Sequence, residues 1–267
     1  MENKATEIQV KLNGLFKKMS KAGYNDYIIS QAIELTNELQ QRGVQGLDRF
    51  VRKLSDNLGN KDNSEDFYES YLDIRKEGRF ARILVRNGFK KIEIEYTKKG
   101  PDVKTRYNRL TIYFEITRKR ENEEDEAIHQ SKDDVGWISP YRLENILSTI
   151  QGKLKQLKDG ELNIVVIWSD TMSFGTRGFE EAVKFIQQEI DTTPERYRKM
   201  GGILFTTGGV SYTNRTPKQF HLFSNDKADA RLPNRLANKL QSMTEEEPSK
   251  LQKEYQDRAA AMRKHNH

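Results

Sequence analysis

The chain contains no cysteine, which excludes disulfides and thiolate-held zinc. Histidine is scarce as well. The four histidines, His129, His221, His265 and His267, are too scattered for a clustered imidazole site, and the last two belong to a polar chain end. No hydrophobic run approaches the roughly 20 residues of a membrane helix, so a membrane partner is not expected. Residues Met1–Val10 carry no apolar stretch of the secretory kind, and the expected compartment is the cytoplasm.

What is present is charge. Of the 267 residues 32% are charged and only 35% hydrophobic, which predicts a modest core wrapped in solvated helix faces. The net charge is +6, compatible with a polyanionic partner.

Hydrophobic periodicity divides the chain into three parts. In residues 1–60 Leu12, Leu15, Phe16 and Met19, then Tyr27, Ile28, Ala32, Leu35 and Leu39, recur at helical spacing and predict an N-terminal helical extension. The polar stretch Gly59–Ser64 reads as a linker. Residues 61–240 then alternate: a helix to about Arg86, strands over Lys90–Tyr96, after Pro101 and over Arg109–Thr117, an acidic loop over Glu121–Asp134, a helix over Pro140–Leu157, a strand over Leu162–Trp168, a helix over Phe179–Glu189 and a strand over Ile203–Thr207. Helices around a mixed α/β sheet are the expectation. The continuous apolar run Ile164–Ile167 is the pattern of a strand covered on both faces. Residues 241–267 read as a polar helix or tail.

Three carboxylates stand out. Asp102 follows the rigid turn Gly100-Pro101. Glu115 lies on a strand where Leu110, Ile112, Phe114 and Ile116 share one face, and Thr111, Tyr113, Glu115 and Thr117 share the other. Glu77 sits inside the apolar helix stripe Phe67, Tyr71, Ile74, Ala81 and Leu84, where an ionised carboxylate must be paired, protonated or bound to a cation. Taken singly, each also has an ordinary reading: a turn residue, a cross-strand partner, or an ion pair with Arg79, Arg82 or an N-terminal arginine. Acids on adjacent strands are also what a hard divalent cation requires when it works on a phosphodiester.

The series Glu77-Gly-Arg-Phe-Ala81, Arg86-Asn-Gly-Phe89, Gly100-Pro101-Asp102 and Tyr113-Phe-Glu115-Ile-Thr117 resembles the PD-(D/E)XK nuclease superfamily, over roughly residues 65–170. The resemblance implies a restriction-endonuclease-like fold. It also implies that Asp102 and Glu115 hold Mg²⁺ or Mn²⁺, that Glu77 assists, and that a lysine positions the attacking water. The position of that lysine is occupied by Thr117, whose hydroxyl can orient a water but brings no positive charge. Lys153, bordering the helix stripe Leu143, Ile146, Leu147, Ile150, Leu154 and Leu157, is the favoured substitute. Lys104 lies on the same strand face as Asp102, while Arg118 points to the opposite face of its strand. Gln156, one turn beyond Lys153, is a candidate for the rim.

Arg75-Lys76, Lys98-Lys99 and Arg118-Lys119-Arg120 can track a phosphate backbone or simply be solvated ends. Tyr107, Tyr113 and Trp137 can stack on bases or pack. The expected function is metal-dependent cleavage of a nucleic acid, DNA first, with RNA left open. The alternative is a nuclease-like protein without catalysis that serves as a nucleic-acid or protein interaction module. For the N-terminal helices, covering a sheet edge, forming a homodimer and contacting a partner all remain open.

Overall fold

The computed structural model of the protein describes residues 2–21, 26–59, 64–94, 100–119, 140–169, 176–207 and 219–243. The acidic segment, Lys98-Lys99, Arg120, Trp137, the side chain of Phe67 and the tail beyond 243 lie outside the described residues.

The helices are α1 (Glu2–Lys21), α2 (Asp26–Gln41), α3 (Leu47–Gly59), α4 (Ser64–Arg86), α5 (Pro140–Leu154), α6 (Thr176–Thr192), α7 (Pro194–Tyr197) and α8 (Asn234–Gln241). The strands are β1 (Lys90–Ile94), β2 (Val103–Tyr107), β3 (Leu110–Lys119), β4 (Asn163–Ser169), β5 (Met200–Thr207) and β6 (Gln219–Ser224). They form one six-stranded sheet in the order β1-β2-β3-β4-β5-β6. The β1-β2-β3 and β5-β6 pairings are antiparallel, and β3-β4-β5 are parallel. The parallel pairs need crossovers, which α5 and the α6-α7 segment supply. The mixed α/β expectation is borne out.

The two faces of the sheet carry separate cores. Ile112, Phe114, Ile116, Ile164, Val166 and Trp168 belong to the cluster under α4. Val165, Ile167, Ile203 and Phe205 pack with Ile146 and Ile150 of α5 and Ala182, Ile186 and Ile190 of α6. The β3 face carrying Tyr113, Glu115 and Thr117 was expected to turn away from apolar surroundings. It is covered too: the three residues are buried, and of their parallel partners on β4, Asn163, Val165 and Ile167, the two apolar ones pack beneath α5 and α6. Local alternation on β3 reports only one of the two layers.

The first core does not stop at the change of composition near Gly59. Leu12, Leu15 and Met19 of α1, Leu35 and Leu39 of α2, and Phe50 and Leu54 of α3 form one hydrophobic cluster with Phe80, Leu84, Phe114 and Ile116. A polar seam joins α2 to α4: Arg86 donates twice to Glu38, both at 2.7 Å, Arg82 lies 3.8 Å from Glu34, and Arg75 donates to Gln31. Gly78 makes the close approach feasible, since a Cβ there would stand 2.8 Å from Phe50 Cζ. The α2–α3 connection reaches the sheet edge, where Gln45 N donates to Ile92 O at 2.9 Å and Gln45 O accepts from Ile94 N at 3.0 Å. Next to it Gly46 has φ +80°, and its missing Cβ leaves room for Ile94 O.

Three elements escaped the sequence pattern, among them the four-residue helix α7. Strand β6 is a short edge strand, with Phe220 and Leu222 in one core and Phe223 in the other. Helix α8 buries only Leu236 and Leu240. The helix expected to reach Leu157 ends at Leu154, and the chain then turns through Gln156 N→Lys153 O and Leu157 N→Leu154 O.

Candidate functional site

Strands β2 and β3 pair with Val103 opposite Phe114. Continuing that register by one residue places Asp102 opposite Glu115. The two expected acids therefore meet at the mouth of the hairpin because the Gly100-Pro101 turn ends one residue before the ladder begins. Asp102 is further fixed by the backbone N–H of Ile116, which donates to its Oδ2 at 2.8 Å.

Glu115 is fully buried and does not lack a cation. Lys153 of α5 donates from Nζ to Glu115 Oε1 at 2.6 Å, a short charge-assisted contact. Gln156 adds to it: with the amide oriented to satisfy both of its ends, the nitrogen donates to Oε2 at 2.9 Å and to Oε1 at 2.5 Å. Lys153 and Gln156 reach the same carboxylate because the chain turns tightly after α5. Asn163 holds that region, as Nδ2 donates to Lys158 O, Glu161 O and Lys199 O at 2.8, 2.9 and 2.9 Å, and Oδ1 accepts from Lys158 N at 3.1 Å.

Burial is the dominant influence on both acids. It pushes the Glu115 carboxyl up to about 7, reinforced by the charge of Asp102 and opposed by Lys153 and Lys76. It raises Asp102 above the usual aspartate range, opposed by the Ile116 N–H and the ammonium groups of Lys53, Lys153 and Lys76. Lys76 is itself held below the ordinary lysine value by burial, against the pull of Glu77, Asp73 and Asp102. Paired acids inside a ring of lysines are thus the electrostatic core of the site.

Glu77 is buried at 3% exposure, as its place in the stripe predicts. Of the three fates open to it, the structure gives pairing: Lys53 Nζ of α3 donates to Oε1 at 2.8 Å. Among the described residues no three His, Cys, Asp or Glu side chains are arranged to hold a metal, so Glu77 does not join Asp102 and Glu115 in a closed three-acid cage. The pair alone suits a hard cation of the Mg²⁺ type, which takes one or two carboxylates and completes its shell with water and substrate oxygens.

The remaining candidates lie apart. Lys104 is half-buried opposite Tyr113 in the ladder. Thr117, 8% exposed, shares the strand face of Glu115. Arg118 emerges on the other face, its guanidinium 3.6 Å from Asp73 of α4. Tyr113 is packed, with Lys158 Nζ 4.8 Å from its ring centroid, and Tyr107 lies against Phe89. Lys53 was missed by sequence reasoning, and Lys76 was read only as a possible phosphate contact, not as a partner of the acids. Lys76 could have been found as the neighbour of a buried Glu77, but nothing local marks Lys53, which arrives through the docking of α3. No family model, curated protein or solved structure matches the chain.

Proposed function

We propose that the protein is a metal-dependent nuclease with a restriction-endonuclease-like fold, hydrolysing phosphodiester bonds of DNA. The observation that carries this reading is the Lys153–Glu115 contact of 2.6 Å, at the rung where Asp102 faces Glu115. Aspartate, glutamate and lysine, the three residue types the PD-(D/E)XK resemblance implies, converge there although Thr117 stands at the usual lysine position. The element order, α4, three strands, α5 and β4, supports the same reading.

In this account Asp102 and Glu115 would hold Mg²⁺ or Mn²⁺, whose chemistry would be to make water a stronger nucleophile and to offset phosphate charge. Lys153 supplies the positive charge that Thr117 cannot, aimed at the phosphate or the incoming water. Gln156 keeps the Glu115 carboxylate in one orientation, and the Ile116 N–H does the same for Asp102. Lys53 holds Glu77 at the margin of the site, and the N-terminal helices thereby contribute to it.

The test is cleavage of plasmid and of linear single- and double-stranded DNA in Mg²⁺ or Mn²⁺. The wild type should cut, while Glu115→Ala and Lys153→Met should lose at least about 100-fold, the scale of a positioned electrostatic group. Absence of cleavage by the wild type on all substrates would sink the proposal. DNA binding without cleavage would instead favour an interaction module.

A further inference from the structure

A stripe of helix α4 next to the paired carboxylates carries its own feature. Leu72, Arg75, Lys76 and Arg79 recur at the spacing of one helix face, and with Trp168, itself only 1% exposed, they line a small recess. Trp168 lies near the carboxyl end of β4, the end of a parallel strand at which α/β sheets receive ligands. Three cations and no acid line this recess.

The surrounding acids have their own partners. Asp73 faces Arg118 at 3.6 Å, Glu77 accepts from Lys53 at 2.8 Å, and Asp102 accepts from the Ile116 N–H at 2.8 Å. On the basic side, Arg75 donates through Nη2 to Gln31, but its Nε is buried and has no hydrogen-bond partner. A buried guanidinium donor left unmet is costly and marks a place for an acceptor. The guanidinium of Arg79 lies 5.1 Å from the Trp168 ring centroid and lines the same recess. Arginine guanidinium groups are the side chains best suited to bind a phosphate through paired N–H donors.

We propose that this recess is a phosphate-binding subsite, which seats a backbone phosphate of the nucleic acid beside the Asp102–Glu115 pair. Lys76 joins the two places, lining the recess and lying within electrostatic reach of both acids. The anion site stands on its own geometry; the nucleic-acid source of the phosphate rests on the nuclease reading. Under that reading the recess binds a phosphate flanking the one that reacts, and so fixes which way the strand runs across the pair.

Trp168 supplies the readout. The chain has two tryptophans, so Trp137→Phe leaves Trp168 as the sole indole. In EDTA, its emission should change saturably on titration with inorganic pyrophosphate and with a short DNA duplex. Arg75→Gln and Arg79→Gln should each weaken both responses about tenfold, as expected for a lost charge-assisted hydrogen bond, while Arg79→Lys retains most of the affinity. For the duplex, the slope of log affinity against log salt should fall by about one for each lost phosphate contact. Should Arg79→Gln fail to fold, Lys76→Gln must show the weakening. No response to either ligand, or affinities unchanged in folded variants, overturns the site. A pyrophosphate response with duplex affinity unchanged by the substitutions overturns the backbone assignment. The titration needs neither metal nor turnover, so an absence of cleavage would count against the nuclease reading and leave this result standing.

Discussion

Glu115 makes the residue scale quantitative. Its carboxyl rises from 4.5 to about 7 in the folded chain, pushed up first by burial and then by the charge of Asp102. Between these two values the unfolded chain has released the proton and the folded chain still holds it. Raising pH across this window therefore favours unfolding, and the loss is complete once the folded group ionises. In EDTA the wild type should lose stability relative to Glu115→Gln between pH 5 and pH 8, measured as urea midpoints. A stability difference that does not change with pH would refute the burial effect. The same residue shows what a sequence can disclose. Asp102 and Glu115 were legible because a turn and an alternating strand are local, and Lys153 was legible as a lysine bordering an apolar stripe. The contact from Lys53 was not, because it joins two helices whose docking no short-range pattern encodes.

At the scale of elements, the docking of α3 against α4 depends on a residue without a side chain. Gly78 faces Phe50 Cζ at 2.8 Å and Leu35 Cδ2 at 3.1 Å from where a Cβ would stand. Gly78→Leu should lower stability by about 1–3 kcal/mol through overpacking, despite the better helix propensity of leucine, with the urea midpoint as the measure. An unchanged midpoint would mean that the two helices part without cost. A second element-scale prediction concerns the α2–α4 seam. Glu38→Arg should destabilise, and Arg86→Glu added to it should recover much of the loss, giving a coupling energy of about 0.5–3 kcal/mol in the double-mutant cycle. Helices α2 and α4 and the apolar strand β4 were visible from periodicity. Strand β6 and helix α8 were not, because each is short and buries only two or three side chains. The covered face of β3 was hidden for another reason: burial by α5 and α6 comes from parallel pairing with β4, which the β3 sequence does not contain.

For the whole molecule, the shared cluster of α1–α4 with the sheet implies that these parts melt together. Thermal unfolding followed by helical ellipticity and by tryptophan emission should give coincident transitions, whereas an early helical phase would show that α1–α3 separate first. Among the described residues no helix is long and apolar enough to cross a membrane. Composition anticipated that, and the order of helices and strands anticipated the mixed sheet, but the union of the N-terminal helices with the sheet depends on contacts between residues far apart in the chain.

The bridge between Gln45 and Glu93 has one more consequence. A sheet ends where a strand presents unpaired amides, and such a border is where a second chain can attach and propagate a ribbon. Here the α2–α3 connection places its own backbone against β1, with Gly46 permitting the approach. The chain thereby covers the outer amide of Ile94 and the carbonyl of Ile92 on β1 with a single bridging residue, leaving less of that edge open to pairing with a second chain.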